Sequence, residues 1–236
     1  MRDHFDGRFQ WPNVPGLRDA VEGARAALRA VALETLVAVL VNERVDPSDA
    51  VLARLLDRPV PPTSTGKATP SELAECSSSG MRMLRYDGNS GAGPRNGSPH
   101  TDNTLITAAP RADVPALQLA KRAEGGRESA WEAVEAQMGP DDVLVFAGDA
   151  LCALTRGRYA AGLHRVPPGE YVGKWRMSTP YFLRARPGAE LGMLTQDELE
   201  RNVRNCRRSR PWMRSRADAE WYAQRIELLR STESQH

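Results

Sequence analysis

His100 and Asp102 stand one residue apart in "SPHTDNTLIT" (residues 98–107), and His164 follows in "GLHRV", 64 positions after His100. The chain has four histidines, of which His4 and His236 lie near the termini. Chain ends are where order is least, so His100 and His164 are the two available to a site. In extended backbone alternate side chains share a face. His100 and Asp102 can therefore project together, an imidazole nitrogen beside a carboxylate oxygen, while His164 adds a third donor from another strand. Two imidazoles and one carboxylate on one face of a metal leave three positions open, which suits non-heme Fe(II) that must hold a cosubstrate and O₂ together. The plain alternative is a polar turn leading into a strand, because a lone His-x-Asp is a common, satisfied polar pair.

Beyond His164, in "GKWRMSTPYF", Arg176 and Ser178 are two apart and face one way if the segment is a strand. A guanidinium fork beside a hydroxyl suits the far carboxylate of a dicarboxylate, because the fork donates parallel charge-assisted bonds. Alone, Arg-x-Ser reads as a solvated strand face. Following the third metal-ligand candidate, it reads as a cosubstrate anchor.

These residues need elements to hold them. Leu17, Val21, Leu28, Val31, Leu36 and Leu40 recur near helical spacing from Gly16 to about Val41, predicting a long amphipathic helix. A shorter helix is expected from about Pro47 to Leu56. The Pro-, Ser-, Thr- and Gly-rich stretch "DRPVPPTSTGKATPSELAECSSSG" reads as a loop or insertion. Short apolar runs then follow, "MRMLRY", "NTLITAA", "PALQLAK", "DVLVFAG", "AAGLHRV" and "KWRMSTPYFLRAR", and predict a β sandwich or barrel. Towards the end helix returns: Thr195 and Glu198 form a candidate capping box, and a last helix is expected from Asp218 to Leu229. The chain thus divides into a helical segment with its loop (1–80), a β core (81–187) and a helical tail (188–236).

With 236 residues, one domain with appendages is the expectation. A net charge of +2 gives no global case for a nucleic-acid or anionic-membrane partner. Three widely spaced cysteines, Cys76, Cys152 and Cys206, fit neither a disulfide framework nor a zinc cluster. Together with the lack of an apolar leader, this predicts a soluble protein of a reducing, cytoplasmic compartment.

"HTDNTLITAAPRADVPALQL", "DVLVFAGDALCALTRGRYAAGLHRV" and "RMSTPYFLRARP" resemble the core of 2-oxoglutarate- and Fe(II)-dependent dioxygenases, specifically the isopenicillin N synthase-like group, from about Met81 to Pro187. The resemblance implies a double-stranded β-helix, or jelly roll. It also implies that His100, Asp102 and His164 ligate iron, and that Arg176 and Ser178 bind the distal carboxylate of 2-oxoglutarate. The resemblance further implies O₂ as the oxidant, with ascorbate as an optional reductant. Many relatives carry Asn-x-Tyr before the first histidine; here "MLRYD" keeps Tyr86 near the same carboxylate but places Leu84 where the asparagine would be. Gly157 and Tyr159 read as turn and packing residues. The interval between the histidines is longer than the family's, and "KRAEGGRESAWEAVEAQMGP" (121–140) reads as a surface insertion. Little precedes the first helix where relatives carry a longer region, which stands for a compact version or an incomplete gene model.

The resemblance implies oxidation of a small organic molecule, by default hydroxylation, coupled to conversion of 2-oxoglutarate and O₂ to succinate and CO₂. Alternatives are an isopenicillin N synthase-like oxidase that dispenses with 2-oxoglutarate, and a non-catalytic jelly-roll binding protein. Alkylation-repair demethylases share the iron motif, and the arginines between 201 and 216 could bind phosphate. Arg176 with Ser178 argues against that pattern, and no nucleic-acid or membrane partner is expected.

Overall fold

The computed structural model describes residues 12–56, 79–87, 99–121, 130–167, 173–191 and 194–195. Helix α1 spans Leu17–Asn42 and α2 spans Asp49–Leu55, as the periodicity predicts to within two residues at each end. Gly16 precedes α1 at φ 74°, a left-handed turn that glycine enters without Cβ strain. One face of α1, with Val21, Leu28, Ala32, Leu36, Val39 and Leu40, is buried. The last carbonyls of α2 are capped from the far end of the chain: Arg186 donates its backbone N–H to Leu55 and its Nε to Arg54, both at 2.8 Å.

The remainder is mainly β. Strands β1 (Gly80–Met81), β2 (Leu84–Asp87), β3 (Ile106–Pro110), β4 (Gln118–Ala120), β5 (Trp131–Ala133), β6 (Val143–Ala147), β7 (His164–Arg165), β8 (Trp175–Ser178) and β9 (Tyr181–Leu183) fall within or beside the apolar runs, except β5. They form a four-stranded antiparallel sheet in the order β1-β9-β3-β6, a three-stranded sheet β5-β4-β7 and a ribbon β2-β8. A small hairpin, β10 (Glu190–Leu191) with β11 (Leu194–Thr195), follows.

Alternation along β3 shows how the layers meet. Ile106 and Ala108 join the core cluster that α1 completes, along with Tyr181 and Leu183 of β9. Thr107, between them, turns the other way, opposite Phe146 of β6 and Phe182 of β9. That inner side holds a second cluster, Ala116, Leu117 and Val166 with Tyr86, Val114, Val134 and Leu144 packed against it. The four-stranded sheet is therefore buried on both faces, by α1 outside and by the smaller sheet and ribbon inside.

Two expectations change. The segment 121–140 is not a surface insertion where it is described: residues 131–133 add β5 to the edge of β4, and a 3₁₀ turn, Val134–Gln137, buries Glu135. A short helix, α3 (Asp149–Leu154), lies between β6 and β7, where no helix was predicted. Thr195 ends β11, and the helices expected after it lie outside the described residues, as do His4, His236 and nearly all of the Pro-rich stretch. Among the described residues no helix is long and apolar enough to cross a membrane.

Candidate functional site

His100 and His164 meet across an isolated antiparallel bridge. Each backbone N–H donates to the other's carbonyl at 2.9 Å. Paired so, their side chains lie side by side, with ring centroids 4.3 Å apart and tilted by 53°. The Asp102 carboxylate spans both: Oδ1 is 3.8 Å from Nε2 of His100, and Oδ2 is 4.0 Å from Nε2 of His164. One donor atom from each of the three residues lies within 4.8 Å of the other two. His164 and Asp102 are 9% and 11% exposed and His100 45%, so the group opens to solvent on the His100 side.

The geometry corrects one premise. Residues 101–105 are a bent loop, not part of a strand, so alternation does not bring Asp102 to His100. The loop is folded onto the start of α3: Asp149 donates its N–H to the carbonyl of Asp102 at 2.8 Å, Ala150 donates to Thr104 at 3.0 Å, and Thr101 donates its hydroxyl to the buried Asp149 carboxylate at 3.1 Å. Gly148 permits this approach, since a Cβ there would collide with Thr104 and the Asp102 carbonyl. "SPHTDNTLIT" is therefore a polar turn, and the turn brings Asp102 beside His100 and His164, a group that could hold a metal ion.

Neighbouring groups orient the donors. Thr107 donates its hydroxyl to Asp102 Oδ2 at 2.8 Å and also contacts the Thr104 hydroxyl. His164 Nδ1 lies 3.0 Å from the carbonyl oxygen of Gly162. A carbonyl can only accept, so Nδ1 donates and, in the neutral ring, the lone pair lies on Nε2, on the Asp102 side. The Phe146 ring stands 5.1 Å from that of His164.

The anchor candidates also gather. Tyr86 pairs with Arg176 and Leu84 with Ser178 across β2-β8, and Arg176 and Ser178 are both buried on one face of β8. The Arg176 guanidinium lies 4.8 Å from the centre of the Tyr86 ring. Arg176 is 1% exposed. Its Nε donates to Val114 O at 3.0 Å and its Nη2 to both carboxylate oxygens of Glu135 at 2.9 and 3.0 Å, while the buried Nη1 has no partner among the described residues. Sequence reasoning missed Glu135. Glu132 and Glu135 are three apart in "WEAVEA", and no local pattern separates the buried Glu135 from the more exposed Glu132.

Two imidazoles and a carboxylate can bind a first-row divalent metal, and an orphaned buried Nη1 fits an anionic or hydrogen-bond-accepting group. Arg165 is committed elsewhere, donating to Gln118 at 2.8 Å and stacking on Trp131. Gly157, at φ 79°, forms a turn, and the Tyr159 hydroxyl accepts from Asn42 at 2.6 Å, so both have structural roles. A cavity of about 1070 Å³ between α1, α2 and α3 contains none of the site residues.

Residues 78–185 match the model of the 2OG-Fe(II) oxygenase superfamily. Gibberellin 3-beta-dioxygenase 3 of Arabidopsis thaliana is 30% identical over 103 residues, covering 43% of this chain and 27% of that protein. A 2-oxoglutarate-dependent dioxygenase of Gibberella zeae is 37% identical over 100 residues, covering 42% and 28% respectively. This chain thus spans about a quarter of the length of the curated relatives it matches. Among solved structures, a 2OG-Fe(II) oxygenase family protein from Caulobacter crescentus superposes with a TM-score of 0.53 at 19% identity, over 84% of this chain and 62% of that one. The fold is the double-stranded β-helix.

Proposed function

We propose that this chain is a 2OG-Fe(II) oxygenase, the superfamily whose model matches residues 78–185, and that it oxidises a small organic molecule, by default through hydroxylation, while converting 2-oxoglutarate and O₂ to succinate and CO₂. The observation that carries the reading is the convergence of His100, Asp102 and His164, with one donor atom each inside 4.8 Å. These three would hold Fe(II). Arg176, Ser178 and Tyr86 would hold the distal end of 2-oxoglutarate, and residues 81–187 would form the catalytic core. Bound Fe(II) and 2-oxoglutarate supply the activation of O₂ and the two electrons that cosubstrate decarboxylation releases.

The chain's own part is positional. Gly162 fixes the His164 tautomer, Thr107 fixes the Asp102 carboxylate, and the His100–His164 bridge sets the spacing of the imidazoles. The buried Thr107 and the half-buried Phe146 ring limit water on one side, leaving the organic substrate to approach from the exposed His100 side. Within the superfamily we place the chain in the isopenicillin N synthase-like group, acting in the cytoplasm without a nucleic-acid or membrane partner. The motif order and the Arg176–Ser178 pair support that placement.

Anaerobic titration with Fe(II) and then 2-oxoglutarate tests the reading. A visible metal-to-ligand charge-transfer band, lost in His164→Ala, is expected; no band at saturating cosubstrate overturns it. Succinate release in air separates a 2-oxoglutarate user from an oxidase that dispenses with it.

A further inference from the structure

The Arg176 guanidinium is largely committed before any ligand arrives. The two-pronged contacts that a guanidinium can offer both use Nη2, and Nη2 lies on Glu135 at 2.9 and 3.0 Å. Nε is taken by Val114 O, which leaves Nη1. Glu135 cannot readily swing away. It is 2% exposed and accepts N–H bonds from Ala116 and Leu117 at 2.7 Å and from Ala112 at 3.3 Å. The loop carrying those amides is itself pinned to β8, where Asp113 accepts from the Met177 N–H at 2.8 Å.

Building on the reading of Arg176 as the anchor, we propose that Glu135 is a positioning residue that sets cosubstrate selectivity. By balancing the charge of Arg176 and withholding Nη2, it limits Arg176's share of the contact with the cosubstrate's tail, beside Ser178 and Tyr86, to a single-ended bond from Nη1. The ligand class is a five-carbon 2-oxo acid whose tail accepts that hydrogen bond, and a neutral amide tail ranks close to a carboxylate. A free fork would give two charge-assisted bonds, each roughly twice as strong as its neutral counterpart. That preference amounts to about tenfold per bond.

The test is calorimetry on the full chain loaded with Mn(II), comparing 2-oxoglutarate with 2-oxoglutaramate, in which an amide replaces the distal carboxylate. In the unaltered protein the affinities should differ by less than about tenfold. In Glu135→Gln, whose amide oxygen can still accept from Ala116 and Leu117, Nη2 and the full charge of Arg176 become available. There 2-oxoglutarate should bind about tenfold tighter and the preference should rise towards about 100-fold. A preference of about 100-fold or more in the unaltered protein overturns the inference, and that measurement alone decides the matter if Glu135→Gln does not fold. An unchanged ratio in a folded Glu135→Gln protein also overturns it. Arg176→Met separates this inference from the reading beneath it. If 2-oxoglutarate affinity survives that change, the anchor assignment itself is wrong; if it falls while the ratios contradict expectation, only the role of Glu135 is.

Discussion

Asp102 and His164 are each held by a group that binds no metal itself, so the ligands and their supports should separate experimentally. Alanine at His100, Asp102 or His164 removes one of three donors; iron-dependent turnover should vanish in each variant while the far-ultraviolet spectrum persists. Undiminished Fe(II) binding in all three would refute the site. Thr107→Val keeps the side-chain shape and removes the bond to Asp102 Oδ2. Fe(II) affinity should fall by about 10- to 100-fold, read by calorimetry. Arg176→Met is a harsher change than its surface-strand sequence context suggests, because it leaves Glu135 buried without its cation. We expect about 2 kcal/mol of lost 2-oxoglutarate binding. A separate stability loss of about 3 kcal/mol should appear in chemical denaturation, and iron affinity should be nearly unchanged.

At the level of elements, α3 shows what hydrophobic patterning could not reveal. Its six residues, Asp149–Leu154, are too few for a helical period to stand out. Yet its first amides and the Asp149 carboxylate organise the loop that carries Asp102. Gly148→Ala would push a methyl group into Thr104 and the Asp102 carbonyl, with a cost of about 1–3 kcal/mol from overpacking. The loss of Fe(II) affinity should exceed what destabilisation alone explains; an unaltered Fe(II) dissociation constant would show that the loop is positioned without α3. The strands carrying His164 and Arg176 were legible because alternation and short apolar runs mark them. The placement of Asp102 was read for the wrong reason, since bends and hydrogen bonds to a remote helix bring it to the histidines. Glu135 was illegible because its partner is 41 residues away and nothing local distinguishes a buried acid from a solvated one.

For the molecule as a whole, α1 and the site lie on opposite faces of one sheet, and this was only half visible in sequence. The period of α1 identified a buried face at Leu28, Leu36 and Leu40, but no local signal says that this face rests on β3 and β9, more than 60 residues further on. Leu36 is fully buried, so Leu36→Ala should cost about 2–5 kcal/mol of stability. Because the α1 side chains and Thr107 project from opposite faces of β3, Kd values for Mn(II) and 2-oxoglutarate should change less than threefold at a temperature where the variant is folded. Ligands acting on the native state alone should raise the melting temperature: saturation at about 100 times Kd adds about 2.7 kcal/mol. A scan with Mn(II) and 2-oxoglutarate that shows no upward shift would mean that the site is not formed in the native state.

The bridge between His100 and His164 makes two peptide protons into a paired gauge of the site. Both amides are locked by the same two-bond unit, so separating the loop from β7 releases them together and parts the two imidazoles in the same excursion. Their deuterium uptake should therefore follow one opening equilibrium, slower than frayed chain ends and no slower than global unfolding. A metal that grips both rings closes that equilibrium from the side-chain end. Exchange at the two amides should slow by a common factor on adding Mn(II), whereas the amide of Val21, in the first turns of α1 where exchange proceeds by fraying of the helix end, keeps its own rate.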